Sequence, residues 1–278
     1  MLKRIIVLRA LAVISAIWFS VLITLPGTAA ARGFSFIRDT EIENTIRAYT
    51  APIFIAAGLQ SSDVRIFLLN DPSLNAFVTS GQNIFINTGL LMRASDANQV
   101  IGVLAHETGH ITGGHLARIQ DNLRNATAQT IMTFVLGGLA AVASGQPGAA
   151  QAVIAGGAQV QRASVLSYTR SMEQNADQAA ATFLDAADVS SKGLLDFLHV
   201  LSAQEALAVA SQDPYVRSHP LTVDRIKFLQ NHVAQSPHAK TPTPENLRIM
   251  HDRMRGKLKG FLNSPARTLN EFKANDAA

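Results

Sequence analysis

Two histidines lie one helical turn apart in an apolar segment of this chain, and a glutamate directly follows the first of them. The five residues are His106-Glu107-Thr108-Gly109-His110. On a helix, residues four apart lie on the same face, so both imidazoles can bind one metal ion with Glu107 beside it. In the His-Glu-x-x-His pattern the histidines bind zinc and the glutamate is a general base. The run therefore predicts a helix that carries part of a zinc centre.

A catalytic zinc ion needs a third protein ligand and one open position for water. The metzincin pattern requires histidine ten residues after His106, but Leu116 occupies that position and His115 lies one residue too early. The other completion is a glutamate on a later helix, for which Glu173 is the candidate. Asp177 follows one turn later and can accept the second ring N–H of a ligating histidine. An exposed helix carboxylate is the alternative interpretation of Glu173.

The N-terminus has the pattern of a secretory signal. Lys3 and Arg4 precede an apolar stretch over residues 10–25, and an alanine triplet ends at Ala31. Residues 1–31 are therefore expected to be a signal peptide, and the mature chain is expected in a bacterial periplasm, soluble or membrane-associated. An uncleaved membrane anchor is the alternative. The sequence contains no cysteine, so neither disulfides nor a lipid-modified cysteine are expected.

The composition favours a helix-rich globular protein. Hydrophobic residues make up 47% of the chain and charged residues only 16%. The formal net charge of the whole sequence is +4. Three of the positive charges, Lys3, Arg4 and Arg9, lie in the predicted signal, so the mature chain is close to neutral. Because no basic surface with interleaved aromatic residues is visible, nucleic acid is excluded as a partner.

Helical and β-like patterns predict an α+β fold that is mainly α. A helix over 38–59 precedes three β-like runs, and a helix that begins near residue 95 leads into the metal motif. Further helices are predicted over 167–186 and 192–209 and around 223–229. The three β-like runs are Val64–Leu69, Ala76–Thr79 and Asn83–Asn87.

Residues 129–160 are rich in alanine and glycine and predict a helical hairpin that turns at 145–148. Each arm is too short to span a bilayer, so a buried hairpin is the simpler interpretation. A lid or a membrane-facing hairpin beside the active site is the alternative. Residues 235–278 predict a linker followed by an amphipathic helical tail.

Ordered sequence blocks give the chain a resemblance to the HtpX/BepA-type gluzincin peptidases, a family that also includes the CAAX prenyl endopeptidases. The resemblance covers roughly residues 38–262. Its blocks are Asn75-Ala76-Phe77, Asn87-x-Gly89-Leu90-Leu91, Leu104-Ala105-His106-Glu107-x-Gly109-His110 with His115, Arg170-x-x-Glu173-x-x-Ala176-Asp177, and His219-Pro220 with Arg225.

The resemblance implies a zincin-type peptidase domain over residues 32–234 that binds one Zn²⁺ per chain. Its ligands would be His106, His110 and Glu173, and Glu107 would be the general base. Such an ion polarises a scissile carbonyl and activates water.

The resemblance also implies that His219 stabilises the developing oxyanion and that Arg225 supports it. A structural loop histidine is the alternative interpretation of His219. Asp177 and His115 are expected to lie beside the ligands, where side chains of this kind orient the imidazoles.

Zinc peptidases of this kind commonly bind substrate as a strand added to a sheet edge. The run Asn83-Ile84-Phe85-Ile86 precedes the metal motif and is predicted to be that edge strand. An ordinary interior strand is the alternative interpretation. The expected substrates are unfolded or extended protein chains.

The signal sequence makes the chain similar to the periplasmic BepA-type members. Members of this type usually continue into tetratricopeptide repeats, and the sequence ends at Ala278, so a member without that domain is expected. The expected function is a zinc endopeptidase that cleaves misfolded or unassembled outer-membrane β-barrel proteins, with the outer-membrane assembly machinery as a partner. A chaperone-like binding protein with latent or absent peptidase activity is the alternative.

Overall fold

A short mixed sheet lies beside the helices of this protein. The computed structural model describes residues 35–119, 121, 127, 130, 132–134, 136, 147–205 and 214–275, and Ser35–Ala278 is one unit. The predicted signal at 1–31 lies outside the described residues. The strand order is β1-β2-β4-β3, with β2 and β4 parallel and the outer pairs antiparallel. The strands are β1 (Phe36–Ile37), β2 (Arg65–Leu69), β3 (Ala76–Thr79) and β4 (Asn83–Asn87).

Strand β4 lies inside the sheet, with a hydrogen-bonded strand on each side. The prediction that Asn83, Ile84, Phe85 and Ile86 form the substrate-binding edge is therefore wrong. Their backbone groups already pair with β2 and β3 and cannot take an added strand. Among the described residues, β3 is the edge strand near the metal motif, and it packs against the helix that carries this motif.

The helices confirm an α+β fold that is mainly α. Asp39 caps the first helix by accepting from the Ile42 N–H, and Asp96 caps the metal-motif helix by accepting from the Asn98 N–H. The bounds are α1 (Thr40–Ala56), α2 (Thr88–Arg93), α3 (Ala97–Thr112), α4 (Pro147–Ala186), α5 (Lys192–Glu205), α6 (Pro214–Ser218), α7 (Val223–Gln235), α8 (Glu245–Leu262) and α9 (Pro265–Asn275).

Helix α4 is longer than predicted. It joins the second arm of the predicted hairpin to the predicted helix over 167–186, because residues 160–167 contain no glycine or proline that would end a helix. Thr133 packs closely on this arm, since a Cβ at Gly157 would lie 2.5 Å from its methyl carbon. Most of the first arm lies outside the described residues. In the described parts of the chain, no helix has the length and apolar character needed to cross a membrane.

Helix α8, which lies in the predicted C-terminal tail, belongs to the same core as the preceding helices. Met254 and Leu258 are buried in the main apolar cluster, and α8 packs against α1 and α2. The buried His251 ring lies between two neutral partners, with Nδ1 3.2 Å from the Tyr49 hydroxyl and Nε2 3.0 Å from the Ala94 carbonyl oxygen. A neutral ring with the proton on Nε2 satisfies both contacts.

His251 is expected to make stability depend on pH. Burial lowers the pKa of His251 below 6.5, so the unfolded chain binds its proton more readily than the folded chain. Its contribution is therefore present above pH 6.5 and is lost as pH falls through the folded pKa. Thermal unfolding at pH 7.5 and 5.5 should show a larger loss for wild type than for His251→Gln. An equal loss in both proteins would contradict this prediction.

Candidate metal centre

Helix α3 presents the two histidines of the motif on one buried face. His106 is fully buried and His110 is 7% exposed. Their Nε2 atoms lie 3.0 Å apart. Burial lowers the pKa of His110 to about 3, so its imidazole is neutral at neutral pH. Neutral imidazole nitrogens are the form that binds zinc.

Helix α4 packs across α3 and brings a carboxylate to both histidines. Glu173 Oε2 lies 3.3 Å from His106 Nε2, and Glu173 Oε1 lies 3.3 Å from His110 Nε2. Burial alone would raise the pKa of Glu173, but the neighbouring histidines hold it well below its usual value. Glu173 is therefore a buried carboxylate aimed at the ligand pair, and the alternative of an exposed carboxylate is excluded.

Asp177 and Arg225 hold His106 and Glu173 in position. Asp177 Oδ1 lies 2.9 Å from His106 Nδ1, so Nδ1–H donates to the carboxylate and Nε2 faces the centre. Arg225 on α7 donates to both oxygens of Asp177 at 2.6 and 2.9 Å, and its Nη1 lies 2.9 Å from Glu173 Oε2. Burial alone would raise the pKa of Asp177, but Arg225 and His106 lower it, which keeps Asp177 ionised.

His115 lies directly behind His110. The two Nδ1 atoms are 2.9 Å apart, so one ring donates and the other accepts. When His110 donates its Nδ1–H, its Nε2 is left free to face Glu173. His115 is itself buried, which places it where the sequence predicted a side chain beside the ligands.

His219 lies beside the predicted ligands His106 and Glu173. Its Nδ1 lies 3.4 Å from His106 Nε2 and 3.3 Å from Glu173 Oε2. Its Nε2 lies 3.5 Å from Glu107 Oε1, so the ring bridges the ligand group and the predicted base. His219 is therefore close enough to the other ligand residues to bind the same metal ion. The oxyanion role predicted from the sequence does not require such a position.

Tyr215 is a site residue that the sequence analysis missed. Its ring is fully buried and stacks on His219 with the ring centres 4.3 Å apart. Burial and the nearby charge of Glu107 raise the pKa of Tyr215 well above 10, so the phenol stays protonated. The sequence does show an aromatic residue one helical turn before His219, but this pattern does not distinguish a site residue from a core residue.

The donor set fits a divalent metal such as zinc. His106, His110, Glu173 and His219 each offer one ligand atom within 4.8 Å of the others, and all four residues are buried. Both oxygens of the buried Glu107 carboxylate lack a hydrogen-bond partner among the described residues. Imidazole nitrogens and carboxylate oxygens are the usual zinc ligands, and a nearby cation stabilises buried carboxylates.

The close packing of α3 on α4 depends on Gly109. A Cβ at this position would lie 2.7 Å from the Ala176 carbonyl oxygen, between Glu173 and Asp177 along α4. Gly109→Ala is therefore expected to push the helices apart and to lower the free energy of unfolding by about 1–3 kcal/mol. Gly256→Ala on α8, where a Cβ meets nothing within 4 Å, should leave stability equal or higher. Denaturant unfolding measures both, and equal stability of the two variants would contradict the packing argument.

Comparison with known proteins places this arrangement in a family. The model of peptidase family M48 matches residues 38–233. The putative beta-barrel assembly-enhancing protease of Vibrio cholerae is 31% identical over 63% of this chain and 35% of its own length. The corresponding protease of Escherichia coli O157:H7 is 29% identical over 72% of this chain and 40% of its own length.

For one shorter relative, the aligned region makes up the same share of both proteins. The metalloprotease YcaL of Escherichia coli is 25% identical over 61% of this chain and 61% of its own length. By contrast, this chain spans only about two fifths or less of the length of the two assembly-enhancing proteases. The family match covers more than half of the chain and includes every residue of the centre described above. The resemblance found in the sequence is thus confirmed, and this chain belongs to peptidase family M48.

Proposed function

We propose that this protein is a zinc-dependent endopeptidase of the bacterial cell envelope. The observation that carries the proposal is the buried Glu107 carboxylate, which lies beside a group of zinc-type ligands and has no hydrogen-bond partner among the described residues. A structural metal site has no need for a buried carboxylate without a hydrogen-bond partner at this position. A hydrolytic site needs one as a base.

Glu107 has the properties of a general base. Burial raises its pKa above the usual value of a glutamate, which makes the carboxylate a stronger proton acceptor. Glu107 accepts a proton from the attacking water and returns it to the leaving amine. When bound, zinc supplies a Lewis acid that polarises the scissile carbonyl and activates water.

We assign His106, His110 and Glu173 as the zinc ligands. A catalytic zinc ion keeps one position open for water, and a fourth permanent protein ligand would occupy it. His219 is therefore assigned to the substrate side of the centre, where a ring N–H can donate to the developing oxyanion. Arg225 positions this loop by donating to the Pro220 carbonyl oxygen at 3.1 Å.

The β3 edge is the proposed binding site for the substrate backbone. A cleft of about 260 Å³ lies between the end of β3 and the C-terminal end of α3. Its lining includes Val78, Thr79, His110 and Leu116. An extended chain paired with β3 would pass the ligand His110, and backbone pairing makes few demands on sequence.

The proposed substrates are misfolded or unassembled outer-membrane β-barrel proteins. Two relatives are named as beta-barrel assembly-enhancing proteases, which supports a role in envelope protein assembly. The signal-like N-terminal pattern supports a periplasmic location. Contact with the outer-membrane assembly machinery, and peripheral contact with the membrane, belong to the same proposal.

Metal removal tests the proposed activity. The purified protein should cleave an unfolded β-barrel precursor, and a chelator that removes zinc should abolish cleavage. Zinc added in slight excess over the chelator should restore it. Product fragments are identified by mass spectrometry, with a folded soluble protein as the uncleaved control. Cleavage that survives complete metal removal would contradict the proposal.

A further inference from the structure

Tyr215 is a buried titratable group that the proposed mechanism does not use. The residue lies on α6 and is fully buried. Its hydroxyl has no hydrogen-bond partner among the described residues. A buried hydroxyl without a partner lowers stability, and phenylalanine would fill the same space without that cost. The hydroxyl therefore needs an explanation other than packing.

The ring of Tyr215 packs against two other rings. Phe197 of α5 lies edge-on to it, with the ring centres 5.4 Å apart and the planes at 85°. The imidazole of His219 stacks on it, with the ring centres 4.3 Å apart and the planes at 25°. The His219 N–H also donates to the Tyr215 carbonyl oxygen at 2.8 Å. Backbone and ring contacts to Tyr215 thus fix the plane of the imidazole.

The same imidazole connects Tyr215 to the predicted base. His219 Nε2 lies 3.5 Å from Glu107 Oε1, so Tyr215 and Glu107 both contact one ring. Neither Glu107 oxygen has a hydrogen-bond partner among the described residues, so the phenol offers the donor that the carboxylate lacks. After burial, the charge of Glu107 is the main cause that raises the pKa of Tyr215. The Tyr215 hydroxyl in turn opposes the rise that burial causes in the pKa of Glu107.

We propose that Tyr215 is a positioning residue for peptide hydrolysis. Its ring holds the plane of His219, and its hydroxyl donates to one oxygen of Glu107 while the other oxygen takes up and returns the proton of the attacking water. The phenol keeps its own proton throughout, so Tyr215 acts through His219 and Glu107 and not as an acid. This inference rests on the proposed peptidase function and adds a residue to it.

Tyr215→Phe tests the hydroxyl. With an unfolded β-barrel precursor as the substrate, kcat should fall about tenfold and KM should stay within about twofold, because a hydrogen bond to a charged group is lost but no contact with the substrate. Zinc should remain near one equivalent. The Tm should be equal or higher, because the change removes a buried hydroxyl without a partner. Slower hydrolysis by an equally stable protein distinguishes a positioning role from a structural one.

Tyr49→Phe is the matched control. Tyr49 is also fully buried, but its hydroxyl lies 3.2 Å from His251 Nδ1, where α1 packs against α8 and away from the metal centre. Removal of this bonded hydroxyl should lower the Tm and leave both kcat and KM unchanged. The two buried tyrosines are therefore expected to give opposite patterns of stability and activity.

Tyr215→Leu tests the ring. Because it frees the imidazole as well as removing the hydroxyl, kcat should fall about a hundredfold, with zinc retained. A second measurement needs no cleavage. In the metal-free protein labelled with ¹³C-histidine, the His219 ring resonances, assigned through His219→Gln, should move in Tyr215→Leu and stay in place in Tyr215→Phe, which keeps the aromatic ring. Absence of cleavage by wild type would contradict the proposed function, whereas the resonances report on the ring contact alone.

Three results would overturn the inference. The first is wild-type kcat in Tyr215→Phe, or a loss of Tm as large as that of Tyr49→Phe, which would make the hydroxyl a structural group. The second is a raised KM with unchanged kcat in Tyr215→Phe, which would place the hydroxyl in contact with the substrate. The third is equal kcat in Tyr215→Leu and Tyr215→Phe, or unmoved His219 resonances in Tyr215→Leu, which would show that the ring does not hold His219.

Discussion

Glu107→Gln is expected to reduce peptide-bond cleavage by about a thousandfold while leaving metal content unchanged. Glutamine has nearly the same shape as glutamate but cannot accept a proton from water. Neither Glu107 oxygen has a hydrogen-bond partner in the described structure, so the amide breaks no hydrogen bond and alters only the 3.5 Å contact with His219 Nε2. The measurement is kcat/KM on an unfolded envelope protein, together with zinc analysis of the same samples.

A matched variant separates this effect from a general loss of charge. Glu245→Gln changes an exposed carboxylate on α8 and should retain wild-type activity. If wild type and Glu107→Gln perform equally on the substrate with no cleavage by either, the chaperone-like alternative replaces the peptidase. Loss of zinc from Glu107→Gln would instead place Glu107 among the ligands and contradict its role as a base.

Glu173→Ala is expected to weaken zinc binding by more than about a hundredfold. The change removes the carboxylate that faces both His106 and His110 at 3.3 Å. It also takes a partner from the buried Arg225, which keeps its two bonds to Asp177. Zinc analysis of the purified protein should fall from near one equivalent to near zero.

The neighbouring residue provides the control for this prediction. Gln174→Ala lies on the same helix, and Gln174 is exposed, so zinc should remain near one equivalent. Glu173→Gln preserves the side-chain volume and shows whether lost packing, and not the lost charge, is responsible. Equal zinc in Glu173→Ala and wild type would remove Glu173 from the ligand set.

Local patterns in the sequence predicted much of the fold. Helical spacing predicted the helix that carries His106 and His110, and this helix begins close to the predicted residue 95, after its cap Asp96. The three β-like runs are the observed strands β2, β3 and β4, the first one residue shorter than predicted. These features depend on residues within about two helical turns of one another, which a sequence displays directly.

Long-range features were harder to predict. Strand β1 has only two residues and exists because β2 lies beside it, so no sequence period marks it. Whether β4 is an edge or an interior strand depends on pairing partners that local propensity does not encode. The continuous α4 was missed because its alanine- and glycine-rich start resembles a separate arm.

The sequence by itself determined the chemical identity of this protein: a histidine pair one turn apart, a glutamate between them, and a family resemblance that named Glu173. The tertiary structure alone decided how these groups are held. It brings α4 and α7 against α3, so that Arg225 and Asp177 orient His106 while Tyr215 stacks on His219. It also decided which of the described strands lie at the edges of the sheet and which lie inside it. Ligand identity follows from residue type and local spacing, whereas orientation and edge accessibility arise from contacts between residues far apart in the chain.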